Sequence, residues 1–166
     1  MKQALLDLIC NTILFKYELP YPAGGIPKTK FSTLNDKCYE VNKITDLSKI
    51  IYNAIVEYSF NEFEINENDY QNLHCRAFQE RIRFNEDDVD ATQLKYGFFG
   101  EIILHVILKI FFKTDTIISK GYFFSPIENS ESKGYDSYHL IKKDTGVELW
   151  FAETKFHQDY HQAIGD

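Results

Sequence analysis

The sequence lacks the signatures of several common protein classes. Its three cysteines, Cys10, Cys38 and Cys75, are odd in number, and no two have CxxC spacing. Neither a disulfide framework nor a zinc knuckle is supported, and the cysteine count predicts three free thiols in a reducing cytosol. P-loop, GxGxxG and nucleophile-elbow motifs are also missing, so Walker-type nucleotide hydrolysis, dinucleotide binding and acyl transfer have no support.

Long apolar runs are missing as well. The N-terminal apolar stretch is interrupted by Asp7 and Asn11, and no small-residue cleavage site follows, so we do not interpret it as a signal peptide. The most apolar later run, residues 102–112, contains His105 and Lys109 and is too short to span a bilayer. We therefore expect a cytoplasmic protein with no membrane segment.

Basic residues are scarce relative to acidic ones. The 166 residues include 18 Lys plus Arg and 25 Asp plus Glu, a net charge of −7. This argues against a broad basic face that would bind nucleic acid unaided. The chain is nevertheless 44% apolar and 16% aromatic, which is enough for one folded domain with a sizeable core or an exposed partner surface.

The hydrophobic pattern predicts helices followed by strands, an α/β or α+β fold with helices packed on a sheet. Residues 1–90 form a mainly helical N-terminal region, and residues 91–166 form the second part of what we expect to be one folded unit. Helices are predicted over residues 4–15, from Thr45-Asp46 to Tyr58, after Asn68-Asp69, and over residues 91–113. Strands are predicted over residues 116–124, 134–141 and 147–156.

One acidic residue of the long helix lies among apolar side chains. Glu101 shares a face with Phe98, His105 and Leu108, and a lone carboxylate buried there would need a cation, a hydrogen-bond network or a route to water. Alternatively, Glu101 lies at the edge of the apolar stripe and is solvated, or it pairs with His105.

The last two strands predict a hairpin whose open end is acidic. A four-residue loop, residues 143–146, would pair Lys142 with Val147 and would place Asp136 opposite Glu153. Directly opposed carboxylates repel each other, but they make a good divalent-metal site. A one-residue slip of register would destroy this arrangement, and the alternative is a solvated surface ladder that includes Lys155.

These residues resemble a known pattern. Asp136 on one strand and Glu153-Thr154-Lys155 on the next are similar to the PD-(D/E)xK signature of restriction-endonuclease-like nucleases, and Glu101 matches the additional helical acid of many members. The segments YGFFGEIILHVIL, KGYDSYHL and ELWFAETKF resemble the nuclease subunit of the bacterial Hachiman antiphage defence system. Gly134-Tyr135 stands in place of the literal proline before Asp136.

The resemblance implies a fold, an activity and a partner. The fold would be a restriction-endonuclease-like core with N-terminal helices on a short mixed sheet. Since the sequence stops 11 residues after Lys155, we expect a truncated protein, an excised fragment or a reduced family member that lacks the C-terminal part of this core. Asp136, Glu153 and the carbonyl of Thr154 would bind Mg²⁺ or Mn²⁺, with Glu101 binding directly or through water. Lys155 would orient the attacking water. The protein would be a metal-dependent endodeoxyribonuclease that acts on DNA with a helicase subunit.

Two other interpretations use different residues. His157 and His161 have the i, i+4 spacing of a helical zinc site, and His105 and His139 lie elsewhere in the sequence, but no third ligand is fixed. Alternatively, the acids are structural and the protein is a non-catalytic, aromatic-rich interaction subunit.

Overall fold

The computed structural model describes residues 3–19, 36–85, 87–89, 96–125, 127, 130–131 and 134–154. The chain divides into two compact units, residues 1–50 and 51–166. Helices and antiparallel strands are both present, which confirms the predicted α+β class. The division after residue 90 stays a prediction.

The first unit begins with a helix and two strands. α1 (Gln3–Thr12) is followed directly by β1 (Ile13–Leu19), which pairs antiparallel with β2 (Asp36–Val41). The helix predicted over residues 4–15 therefore ends earlier than expected. Because β1 is stabilised by a partner strand that begins 17 residues after it ends, its local sequence alone does not identify it as a strand.

The helices of the chain's middle part agree well with the hydrophobic pattern. α2 (Ile44–Ser59) and α3 (Tyr70–Glu80) are present, with Asp69 as the N-cap residue of α3. The predicted long helix corresponds to α4 (Phe98–Phe111), while residues 91–95 lie outside the described part of the chain. α4 stops before Lys113, because that residue has a left-handed backbone with φ of 53°.

The strands after α4 form a three-stranded antiparallel sheet. β3 (Asp115–Thr116) pairs with β6 (Ser137–Lys143), which pairs in turn with β7 (Gly146–Ala152). A further short pair joins β4 (Phe124–Ser125) to β5 (Ser130–Glu131). All the described strand pairs are antiparallel, whereas the resemblance to nucleases implies a mixed sheet.

The strand predicted over residues 116–124 is largely wrong. After β3 the chain forms a short 3-10 helix, Lys120–Phe123, because Gly121 packs tightly against the end of α2. A Cβ at Gly121 would lie 2.6 Å from the carbonyl oxygen of Ser59 and 2.8 Å from Cβ of Arg81. Residues 120–123 are therefore helical and do not form part of the three-stranded sheet.

Among its described residues, the second unit has an apolar core built from α3, α4 and the part of α2 that follows residue 50. Its buried side chains include Ala54, Ile55, Val56, Phe60, Leu73, Ala77, Ile82, Phe98, Ile102, Val106 and Leu108. α4 packs against β6 and so connects this core to the hairpin. Among the described residues, no helix has the length and apolar character needed to cross a membrane.

Candidate functional site

The β6–β7 hairpin has the predicted register. Lys142 pairs with Val147, and the ladder continues to its last pair, Ser137 with Ala152. The loop is tighter than predicted, because Lys143 also pairs with Gly146 and leaves Asp144 and Thr145 as the turn. Gly146 has φ of +145°, a conformation that side-chain-bearing residues rarely adopt.

The two faces of this hairpin have different surroundings. Ser137 and His139 of β6 are buried, on the face toward α4. On the other face Leu149 and Phe151 are 49% and 51% exposed, and the ring of Phe151 lies 5.7 Å from that of Tyr138. The apolar side chains of this second face are therefore partly exposed to solvent.

The main chain next to Asp136 is held by hydrogen bonds on both sides. The N–H of Tyr135 donates to the hydroxyl of Tyr138 at 3.2 Å, and Nζ of the buried Lys120 donates to the carbonyl of Tyr135 at 3.1 Å. The N–H of Thr154 donates to Oδ2 of Asp136 at 2.6 Å. Asp136 is thus fixed between the 3-10 helix at Lys120 and the end of β7.

The open end of the hairpin contains Asp136, Glu153 and Thr154. Asp136 and Glu153 are the residues immediately beyond the last strand pair, which is the position that the predicted register assigns to them. Glu153 is exposed and Thr154 is half-buried. Lys155 lies outside the described residues, as do the candidate zinc ligands His157 and His161.

Glu101 lies in a different environment. It is 7% exposed on α4, and the hydroxyl of Tyr58 on α2 donates to its Oε2. The alternative in which Glu101 is solvated is therefore wrong. The described residues contain no group of three or more His, Cys, Asp or Glu side chains that could hold a metal. The joint ligation of a metal by Glu101, Asp136 and Glu153 stays a prediction.

Two buried histidines lie between α4 and β6. The rings of His105 and His139 are 5.5 Å apart, and Nε2 of each ring has no hydrogen-bond partner among the described residues. Burial lowers the pKa of His139 to about 4 and lowers that of His105 well below its usual value. Thr114 hydrogen-bonds to Nδ1 of His139. Both imidazoles are therefore neutral components of the core at pH 7.

Sequence reasoning missed the residues that position the acids. The sequence pattern places Tyr58 at the end of the helix predicted from Thr45-Asp46, but nothing in that pattern indicates that its hydroxyl reaches Glu101. Lys120 gave no signal either, because an isolated lysine in an apparent strand is normally exposed.

These features define a small α+β protein with a β-hairpin whose open end contains two acidic residues. A match to the HamA protein family covers residues 23–166, which is most of the chain. The chain therefore belongs to the HamA family, a component of the Hachiman antiphage defence system. No curated protein and no solved structure matches the chain.

Proposed function

We propose that the protein is a metal-dependent DNA nuclease, and that it acts as the effector of a Hachiman defence complex together with a helicase subunit. The main support is the fixed position of Asp136 at the open end of the β6–β7 hairpin. Its carboxylate is aligned by the N–H of Thr154, and its neighbour Glu153 lies just beyond the same strand pair. Catalytic groups need this kind of rigid support from residues around them.

The available ligands are suited to Mg²⁺. This ion usually binds through one or two carboxylates and keeps several water molecules, so Asp136, Glu153 and the carbonyl of Thr154 form an adequate set. Mn²⁺ accepts the same oxygen donors. Bound there, the ion would act as a Lewis acid and would lower the pKa of a water molecule. Glu101 would contribute through water, since it is engaged with Tyr58.

The protein's own groups would do the remaining work. Asp136 would hold its oxygen atoms in place without a change of rotamer, because the N–H of Thr154 already fixes one of them. Lys155 would orient the attacking water and stabilise the charge that develops on the phosphate. The helicase subunit would present the DNA, which answers the difficulty raised by the net charge of −7.

Plasmid cleavage tests this proposal. The chain and the helicase encoded beside it are incubated with plasmid and Mg²⁺, with the wild type compared with Asp136→Ala and Lys155→Ala. We expect both variants to lose cleavage by at least a hundredfold. Asp144→Ala is the matched control, because it removes an exposed aspartate at the opposite end of the same hairpin. Equal cleavage by all four proteins would reject the nuclease assignment.

One observation supports a second function, that of an interaction subunit. The hairpin face that contains Leu149 and Phe151 is half-exposed, and Tyr135 and Val147 on it are also exposed. Contiguous exposed apolar side chains are typical of protein-binding surfaces. If this function is correct, Leu149→Ser should abolish co-purification with the helicase subunit, whereas Asp136→Ala should leave it intact.

A further inference from the structure

A small pocket beside Glu101 contains two arginines. It has a volume of about 200 Å³, and its lining includes Tyr58, Arg81, Arg83, Tyr96 and Glu101. Two guanidinium groups at one concave surface are unexpected in a chain with a net charge of −7. They make this pocket a local exception to the acidic character of the protein.

Arg81 is held in place by aromatic rings. Its guanidinium carbon lies 4.2 Å from the ring centre of Tyr122 and 5.6 Å from that of Phe60. Its side-chain Nε is buried and has no hydrogen-bond acceptor among the described residues. A buried donor on a charged group is costly to leave unpaired, so the guanidinium of Arg81 has unused hydrogen-bonding capacity beside the pocket.

Arg83 is the exposed member of the pair. It lines the same pocket but lies at the surface, where its side chain can turn toward a bound group. Arginine binds phosphate oxygens through two parallel N–H donors, which gives both affinity and orientation. One guanidinium packed against aromatic rings and one exposed guanidinium together are suited to an anion that enters from solvent.

The pocket is linked to Asp136 by a single structural element. In the 3-10 helix Lys120–Phe123, Tyr122 stacks on Arg81, and Lys120 donates to the carbonyl of Tyr135, the residue before Asp136. A four-residue 3-10 helix is only about 8 Å long. The arginine pocket and the acidic end of the hairpin therefore contact the same short segment.

We propose that this pocket binds the phosphodiester backbone of the DNA strand whose cleavage is proposed at Asp136. Arg81 and Arg83 donate to the phosphate oxygens, and the strand continues from the pocket toward the hairpin. The identity of the ligand rests on the proposed nuclease function. The site itself rests on the two guanidinium groups, the unpaired Nε of Arg81 and the shared 3-10 helix.

DNA binding without cleavage tests the inference. The full chain is mixed with a fluorescent duplex of about 20 base pairs in EDTA, and affinity is measured by anisotropy across a series of NaCl concentrations. Arg83→Gln is the principal variant, because its exposed side chain can be replaced without disturbing the core. We expect affinity to fall about tenfold, and the slope of log K against log [NaCl] to become shallower by about 0.9.

Arg81→Gln and Arg76→Gln complete the comparison. Arg81→Gln should behave like Arg83→Gln, provided that its melting temperature shows a folded protein. Arg76→Gln is the matched control, because it removes a guanidinium 5.5 Å from the same Phe60 ring but outside the pocket. The inference is overturned if Arg83→Gln and the wild type have the same DNA affinity at every NaCl concentration of the series.

The two proposals fail in different ways. If the chain does not cleave DNA with Mg²⁺ but its DNA affinity depends on Arg83, the phosphate site is supported and the nuclease assignment is rejected. If the chain cleaves DNA normally but its DNA affinity does not depend on Arg81 and Arg83, the nuclease assignment is supported and the phosphate site is rejected.

Discussion

The hydroxyl of Tyr58 donates a hydrogen bond to the carboxylate of Glu101, across 43 residues of sequence. This contact joins α2 to α4 inside the second unit. Burying a carboxylate is unfavourable unless donors replace its water, and Tyr58 supplies one such donor in the core. The hydrogen bond from Tyr58 offsets part of the cost of burying Glu101 and also links the two helices.

Removing this hydroxyl should therefore destabilise the protein. We expect Tyr58→Phe to lower the free energy of unfolding by about 1.5–3 kcal/mol, the range for hydrogen bonds to charged groups. Urea titration followed by circular dichroism measures the change. Tyr52→Phe is the control, because Tyr52 is an exposed tyrosine on the same helix. Removing its hydroxyl should change the free energy of unfolding by less than about 0.5 kcal/mol. Equal losses for the two variants would contradict a specific role for Tyr58.

Two glycines beside the pocket should respond oppositely to alanine. Gly121→Ala should cost about 1–3 kcal/mol, because its Cβ would lie 2.6 Å from the carbonyl oxygen of Ser59. Gly97→Ala should be neutral or should stabilise by up to about 1 kcal/mol. Its φ of −62° suits alanine, and its Cβ would make an ordinary contact 3.5 Å from Glu101. Thermal unfolding of both variants checks the difference, and a tolerated Gly121→Ala would show that the close approach is not required.

Stability should fall in mildly acidic solution because of the two buried histidines. Burial is the largest cause of both lowered pKa values. The pKa of His105 is lowered further by His139 and by Lys109. The pKa of His139 is lowered further by Lys109, whereas Asp115 raises it. The unfolded chain binds protons as the pH falls below about 6.5, whereas folded His139 does not until about pH 4. The loss therefore begins near pH 6.5 and grows by about 1.4 kcal/mol per pH unit for each histidine.

Urea unfolding at a series of pH values between 7.5 and 4 measures this dependence. His105→Leu removes one of the two groups and should make the slope shallower. His74→Gln, which replaces a histidine of α3 outside this pair, serves as the control. The same slope for wild type and His105→Leu would disprove the assignment.

Lys120 should act as a positioning residue for Asp136, if the proposed nuclease function is correct. Lys120→Met keeps the length of the side chain but removes the donor to the carbonyl of Tyr135. We expect the Mg²⁺ concentration for half-maximal plasmid cleavage to rise about 10- to 100-fold, as for other residues that orient metal ligands. Lys120→Arg should restore part of the activity. Lys143→Met at the hairpin turn is the control, and a lower melting temperature with an unchanged Mg²⁺ requirement would indicate a purely structural role.

Sequence reasoning predicted those parts of the fold that depend on local patterns. The apolar spacing from Leu47 to Tyr58 identified α2, and the Gly146 turn fixed the hairpin register that places Asp136 next to the last strand pair. Each of these predictions uses residues close together in sequence, where periodicity and turn chemistry determine the structure.

The incorrect predictions depended on distant partners. The helix predicted over residues 4–15 wrongly includes the first three residues of β1, because the pairing of β1 with β2 is not visible in either segment alone. The segment around Gly121 was assigned to a strand because its contact with Ser59 spans more than 60 residues. The sequence also does not indicate which face of the hairpin is buried, because both faces contain apolar or aromatic residues.

The tight Asp144-Thr145 turn has a consequence for the order in which the protein folds. The N–H of Thr154 and the carboxylate of Asp136 are 18 residues apart, and a two-residue turn brings their strands together through local contacts alone. Hairpins form within about 1–10 microseconds, whereas contacts between distant residues need larger and slower chain closures. We expect the acidic end of the hairpin to assemble before Glu101 reaches Tyr58. Substitutions at the turn should then slow folding, and those at Tyr58 should mainly speed unfolding.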